Sequence, residues 1–76
     1  MQVHILEAKG KVWEGVAGKV NLPASGGDVC VMDFHQPFFI RLKAGYIRLA
    51  ERPMDIFIKE GLAFMHGNEL QVFIER

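Results

Sequence analysis

Ser25, Asp28 and His35 carry the hydroxyl, carboxylate and imidazole groups from which a nucleophilic catalytic triad can be built. In such a triad the imidazole takes the proton of the hydroxyl, and the carboxylate orients the imidazole. Ser25 is the only serine, and the chain has no threonine. The residues around Ser25, PASGGD, do not form the strained turn pattern that exposes a nucleophile. We therefore expect that the protein is not an enzyme.

Metal and cofactor chemistry has equally little support in the sequence. His4, His35 and His66 are far apart along the chain and have no cysteine or carboxylate at metal-ligand spacing. No glycine-rich phosphate loop leads into a helix, so we expect neither a metal nor a cofactor. The single cysteine, Cys30, excludes an internal disulfide. Its two valine neighbours predict a buried thiol in a reducing compartment.

The charge balance argues against a nucleic-acid partner. Nine basic and nine acidic side chains give a formal net charge of zero, whereas phosphate binding needs a surplus of Lys and Arg on one face. The strongest basic patch is thin and is offset by Glu51 and Asp55. Its members are Arg41, Lys43, Arg48 and Arg52. The composition favours an ordinary solvated surface.

Length and hydropathy predict one soluble, cytosolic domain. The 76 residues leave room for a single domain, residues 1–76. No apolar run approaches the roughly 18 to 20 residues of a membrane span. The first ten residues, MQVHILEAKG, lack the positive start and long apolar core of a signal peptide. We expect no direct insertion into a membrane.

The segment LPASGGDVCVMDFHQP, residues 22–37, shows how the candidate polar residues are positioned. Two loops with strong turn chemistry, residues 23–28 and 33–37, bracket the apolar run 29–32. Four apolar residues are too few for a helix and suit a short strand. The pattern predicts that the run is buried and that the two loops present polar groups to a partner.

The rest of the chain also has the pattern of short strands. Residues 2–7 alternate between apolar and polar side chains, and glycines interrupt the apolar runs that follow. The pair 38–42 and 46–49 predicts a hairpin turning at 43–45, whereas Gly67-Asn68 predicts a tight hairpin between 62–66 and 69–74. A break is expected at 51–53.

No segment has helical periodicity with caps at its ends. The sequence therefore predicts an all-β fold, a small antiparallel β-sandwich or flattened barrel of about 8 to 10 short strands. Trp13, Phe57 and Phe73 occupy positions whose neighbours already supply an apolar face. These aromatic residues lie either on an outer docking surface or in a sheet curved enough to bury both of its sides.

Four segments carry a resemblance to a known family: VHILEAKGKVWEG, GKVNLPASGGDVCVMDFHQP, LKAGYIRL and GLAFMHGNELQVFIE. Their order and spacing resemble those of the N-terminal β-sandwich domain of the epsilon subunit of F-type ATP synthase. The chain departs from the family at Glu60-Gly61, where two glycines are common, and at Phe64-Met65. It also stops at Arg76, where the family usually continues into a C-terminal helical hairpin. Inhibition of ATP hydrolysis and ATP binding belong to that hairpin in the family, so we expect both to be absent here, whether the short form is natural or a truncation.

The resemblance implies a non-catalytic rotor subunit of the central stalk, peripheral to the cytoplasmic face of the membrane. Its partners would be the gamma subunit and the c-ring, and it would couple proton or sodium translocation to ATP synthesis. The family's ring-facing acidic position falls on Asp28, with His35 in the adjacent loop and Glu7 and Lys9 joining them. The strand after the His-x-Pro motif supplies the gamma contact. Its members are Phe38, Ile40 and Leu42.

A function from another class remains open. The same strands could form a free-standing β-barrel that binds a small ligand or peptide, with the aromatic residues as its pocket. An apolar pocket with converging polar groups would favour this alternative. A filled interior and an apolar outer face would favour the stalk subunit.

Overall fold

The computed structural model describes residues 1–52 and 54–76, so Pro53 of the expected break lies outside the described residues. Within these ranges there are nine strands and no helix. The strands are β1 Gln2–Glu7, β2 Gly10–Val16, β3 Lys19–Ala24, β4 Gly27–Met32, β5 Phe38–Leu42, β6 Gly45–Leu49, β7 Met54–Ile58, β8 Glu60–His66 and β9 Glu69–Glu75. The predicted all-β class is confirmed.

The strands pair in the order β2-β1-β9-β8-β5-β3-β6-β7. Strand β4 is not part of this order; it pairs with the edge of β3 opposite to the one that β5 and β6 share. Neighbours are antiparallel except for β1 and β9, which are parallel. Strands β5 and β3 pair only through Leu42 and Ala24. At this corner the sheet folds over, so β2, β1, β9, β8 and β5 form one layer and β4, β3, β6 and β7 form the other. The result is the expected β-sandwich.

The hairpin predicted around residues 43–45 is wrong. Strands β5 and β6 do not pair with each other; both follow the same edge of β3, β5 at Ala24 and β6 at Val20 and Asn21. The Lys43 N–H donates to the Pro23 carbonyl at 2.8 Å. None of residues 43–45 has the positive φ that a two-residue hairpin needs. The segment is therefore a bend by which one extended chain passes from the first layer to the second.

The second predicted hairpin is confirmed. Gly67 and Asn68 have φ values of 59° and 58°, which give the turn the backbone twist that joins antiparallel strands. His66 pairs with Glu69 across it, and the register continues without a break to Glu60 and Glu75. The prediction is correct because the turn depends only on the two residues that form it.

Alternating apolar side chains of both layers meet in a filled core. The largest fully buried side chains are Ile5, Leu22, Leu42, Ile47, Leu49, Ile58, Met65, Leu70, Val3, Val20, Val31 and Val72. Each is less than 2% exposed. Period-two alternation explains the set, because successive side chains of a strand point to opposite faces of the sheet.

The same alternation corrects the prediction that the whole run 29–32 is buried. Val31 is buried and Val29 half-buried, but Met32 is 52% exposed and Cys30 is also exposed. The inward side chains of β4, Val29 and Val31, meet the core, whereas the alternate side chains, Cys30 and Met32, point to solvent. The buried thiol predicted at Cys30 is therefore wrong. Apolar neighbours in sequence do not bury a residue that lies on the outer side of an edge strand.

Trp13, Phe57 and Phe73, expected either on an outer surface or buried in a curved sheet, do not share one environment. Phe57 is 49% and Phe73 43% exposed, so both lie on outer surfaces. Trp13 is half-buried and packs against the core. Its ring lies under the Arg52 guanidinium, 5.3 Å from the ring centroid. Trp13 thus closes the side of the sandwich where β2 is the edge strand.

Candidate docking surfaces

The candidate triad is not assembled. Ser25 lies in the turn between β3 and β4, Asp28 is the second residue of β4, and His35 lies beyond the far end of that strand. Four residues of extended chain, roughly 13 Å, separate Asp28 from the end of β4. Among the described residues, no three His, Cys, Asp or Glu side chains are placed to hold a metal ion. The three candidate side chains, Ser25, Asp28 and His35, lie on separate parts of the surface.

The two ends of the sandwich carry different loops. The end that holds Asp28, which we call the Asp28 end, consists of residues 8–9, 25–26, 43–44 and 59. The opposite end, the His35 end, consists of residues 17–18, 33–37, 50–52 and 67–68. Glu7, the last residue of β1, lies at the Asp28 end. The structure thus places Glu7 and Asp28 at one end but does not bring His35 to them.

Glu7 is already paired within the chain. Arg76 donates from Nη2 to Glu7 Oε1 at 2.9 Å and from Nε to Glu7 Oε2 at 3.1 Å. These hydrogen bonds, the charge of Arg76 and, to a smaller extent, that of Lys9 hold the pKa of the Glu7 carboxyl below its usual value. Asp28 instead is exposed beside an open groove of about 420 Å³, which Lys43 and Arg48 also line. Asp28 is the more available of the two carboxylates.

The expected gamma-contact residues face the interior. Leu42 is 1% exposed and belongs to the core, so it presents no side-chain surface to a partner in this structure. Phe38 and Ile40 are half-buried and pack against the same core. The outward side chains of β5 are Phe39 and Arg41. The segment FFIRL carries apolar residues on both faces, so alternation alone does not tell which set points inward.

Three phenylalanines from neighbouring strands stack on the outer surface of the first layer. The ring centroids of Phe39 and Phe64 are 6.1 Å apart at an interplanar angle of 16°, and those of Phe64 and Phe73 are 6.0 Å apart at 19°. Phe39 is 68% exposed, and the exposed Leu62 lies opposite Phe73 across the β8–β9 pair. We call Phe39, Leu62, Phe64 and Phe73 the aromatic face. Sequence reasoning found only Phe73, because the register that joins β5 to β8 is not visible in the sequence.

The outer surface of the second layer is more polar. Tyr46 and Phe57 meet edge to face with ring centroids 5.4 Å apart. The Arg48 guanidinium lies 5.9 Å from the centroid of the Tyr46 ring and 3.6 Å from the Asp55 carboxylate. Charged groups therefore surround the aromatic pair here. The aromatic face joins four apolar side chains, whereas this surface has two aromatic rings beside a charged pair.

The loop of the His35 end is tied to both layers. The Asp33 N–H donates to the Gly18 carbonyl at 3.3 Å, and the Phe34 N–H donates to Asn68 Oδ1 at 2.8 Å. The His35 ring packs edge-on against Phe38, with centroids 5.2 Å apart. These contacts fix the loop that leads into β5.

The family model of the ATP synthase delta/epsilon chain beta-sandwich domain matches residues 1–76, the whole chain. The chain belongs to this family. It is 33% identical over 72 residues to the ATP synthase epsilon chain of Nitrosococcus oceani, covering 95% of this chain and 49% of that protein. It is 30% identical over 76 residues to the ATP synthase epsilon chain of Microcystis aeruginosa, covering 95% of this chain and 54% of that protein.

A solved structure shares the fold of this delta/epsilon beta-sandwich domain. It is the central stalk and c-ring of the Tetrahymena thermophila mitochondrial ATP synthase, which matches with a TM-score of 0.80 and 13% identity. The match covers 100% of this chain and 63% of that one. The predicted family and β-sandwich are thus confirmed.

The delta/epsilon domain described here spans about half the length of the curated relatives that it matches. In the part of the chain that the structure describes, no helix is long and apolar enough to cross a membrane.

Proposed function

We propose that this delta/epsilon beta-sandwich domain is a non-catalytic part of the ATP synthase central stalk, where it bridges the gamma subunit and the c-ring. In this role it turns with the rotor and couples proton or sodium translocation to ATP synthesis without making or breaking bonds in ATP. It is peripheral to the membrane, on its cytoplasmic face. The observation that carries the proposal is the exposed aromatic face on a domain of this family.

The gamma subunit docks on the aromatic face. Contiguous exposed apolar area is a mark of protein interfaces, and aromatic residues supply much of the binding energy in their centres. The face combines stacked rings of Phe39, Phe64 and Phe73 with the exposed Leu62. Phe38 and Ile40 support it from the inner side of β5 and contribute through their half-buried edges. Leu42 has no part in the contact because it is buried.

The c-ring meets the Asp28 end. Asp28 supplies an exposed carboxylate there, and Lys9 and Lys43 lie in the neighbouring loops. Glu7 contributes together with Arg76, as a paired rather than a free charge. His35 lies at the opposite end and is withdrawn from the ring contact that the sequence suggested for it.

The fold suits the transfer of torque between two partners. Each strand pairs with at least one neighbour, and the core is closed by side chains from both layers. Such a domain resists deformation because its interior is close-packed. We therefore expect that a force applied at the Asp28 end is transmitted to the aromatic face without deforming the domain.

The ligand-binding barrel finds no support in the structure. The interior is filled by side chains that are less than 2% exposed, and the grooves that the described residues form are open depressions on the surface. Several apolar side chains outside the core, Phe39, Leu62 and Phe73 among them, lie on the outer surface, where a protein partner can cover them. Both features favour the stalk subunit.

Calorimetry of the purified chain with its cognate gamma subunit tests the proposal. We expect binding with a negative heat-capacity change, because burial of apolar surface has that signature. Phe39→Ser should weaken binding, whereas Phe57→Ser, the matched change on the other outer surface, should not. Absence of binding to a well-folded gamma subunit would overturn the proposal, and equal losses for the two variants would remove the aromatic face from it.

A further inference from the structure

Phe34 has a backbone conformation that a phenylalanine rarely adopts. Its φ is 61°, in the left-handed region that favours glycine and tolerates asparagine. Among the described residues, Asn68 is the only other non-glycine residue with a positive φ. A bulky aromatic residue in this region is unfavourable, and such positions persist where the surroundings enforce them.

The ring of Phe34 is also the most exposed large apolar side chain among the described residues, at 83%. Each of the other five phenylalanines contacts another aromatic ring: Phe38, Phe39, Phe57, Phe64 and Phe73. Phe34 makes no such contact in the part of the chain that the structure describes. Neither its backbone nor its ring contributes an evident packing benefit to the isolated domain.

The loop nevertheless holds Phe34 firmly in place. Its N–H donates to Asn68 Oδ1 at 2.8 Å, and the N–H of the next residue, His35, donates to the Met32 carbonyl at 3.2 Å. The His35 ring in turn packs against Phe38 at the start of β5. The ring of Phe34 therefore projects from a fixed base, which lowers the entropy that is lost when a partner immobilises it.

We propose that Phe34 is an anchor that inserts into an apolar socket on the gamma subunit, beside the aromatic face. This inference rests on the proposed function. The partner is gamma rather than the c-ring because Phe34 lies at the His35 end, across the length of β4 from Asp28. Its loop also leads directly into β5, whose outward residue Phe39 belongs to the aromatic face, so one partner that covers β5 reaches both rings.

The substitution Phe34→Asn removes the proposed anchor ring and keeps the backbone conformation of the loop. Asparagine tolerates the left-handed region, as Asn68 does in this chain, and the backbone N–H that bonds to Asn68 is kept. We expect a melting temperature equal to or higher than that of the wild type and an affinity for gamma at least tenfold lower. Phe34→Tyr, which keeps the ring, should bind gamma within threefold of the wild type.

The comparison with Phe39→Ser distinguishes the two proposals. If Phe39→Ser loses affinity while Phe34→Asn binds as the wild type does, the anchor is overturned and the proposed function stands. If the wild-type chain does not bind gamma at all, the proposed function fails and the anchor fails with it. A melting temperature of Phe34→Asn lowered by several degrees would show that the ring supports the fold, which would also overturn the anchor.

Discussion

Gly45 approaches Pro23 so closely that a side chain at position 45 has no room. A Cβ placed on Gly45 would stand 2.8 Å from the Cβ and 3.3 Å from the Cγ of Pro23. The contact lies where the chain, having left β5, begins β6, and it is reinforced by the hydrogen bond from the Lys43 N–H to the Pro23 carbonyl. Gly45 therefore permits the close crossing of β3 and the bend that joins the two layers.

Gly45→Ala should destabilise the domain by about 1 to 3 kcal/mol, because the rigid proline ring and the backbone must move apart. Gly26→Ala is the matched control, since a Cβ there meets nothing within 4 Å and its φ is not in the left-handed region. We expect the control to be unchanged or slightly stabilised through the reduced entropy of its unfolded chain. Equal denaturant midpoints for Gly45→Ala and the wild type would contradict the close contact.

Leu22→Ala and Val31→Ala should each lower the free energy of unfolding by roughly 2 to 4 kcal/mol, through lost burial and a residual cavity. Leu22 is 1% and Val31 0% exposed. Met32→Ala is the control on the same strand as Val31, because Met32 is 52% exposed. Its cost should stay within about 0.5 kcal/mol. Denaturant unfolding measures all three, and similar values for Val31→Ala and Met32→Ala would refute the inward and outward assignment of β4.

Asp28→Lys should leave the fold intact and weaken coupling at the c-ring. Exposed charges of this kind seldom change stability by more than about 0.5 kcal/mol, while a reversed charge at an interface is repelled by a complementary partner. Proton pumping by membranes that contain the assembled complex is the measurement. Asp55→Lys makes the same change on the outer surface of the second layer, outside both proposed contacts, and should pump normally. If Asp28→Lys assembles and pumps as the wild type does, Asp28 has no role in the ring contact.

The ion pair of Glu7 with Arg76 should make stability depend on pH. The pKa of Glu7 in the folded domain lies below the ordinary value of 4.5, chiefly because Arg76 donates hydrogen bonds to the carboxylate. The folded state thus binds the proton less tightly than the unfolded state, so the stabilisation is present above pH 4.5 and is lost as the pH falls through the folded-state pKa. Added salt should weaken the effect, since the pair is exposed to solvent.

Glu7→Gln tests this pH dependence by thermal unfolding. The variant should melt below the wild type at neutral pH, and the difference should shrink once the pH is well below 4.5. Glu75→Gln is the neighbouring control, because Glu75 forms no ion pair within the described residues. A difference for Glu7→Gln that is the same at both pH values would exclude the ion pair as its cause.

The amino-acid sequence by itself determined the features that depend on neighbouring residues. Gly67-Asn68 fixed a hairpin because both residues accept positive φ, and alternation in segments such as 54–58 fixed the inner and outer faces of single strands. The order of the motifs also sufficed to identify the family. The turn and the alternation are local signals, so no distant part of the chain overrides them.

Only the tertiary structure decided which strands meet. The segment 43–45 has the residues of a turn but forms a bend, because β5 and β6 both pair with β3 rather than with each other. Likewise, Leu42 is internal and Phe39 external because β5 pairs with β8, which stacks Phe39 on Phe64. Pairing between residues far apart in the chain sets both outcomes. When both faces of a strand are apolar, the side-chain pattern does not show which strand it pairs with or which face points inward.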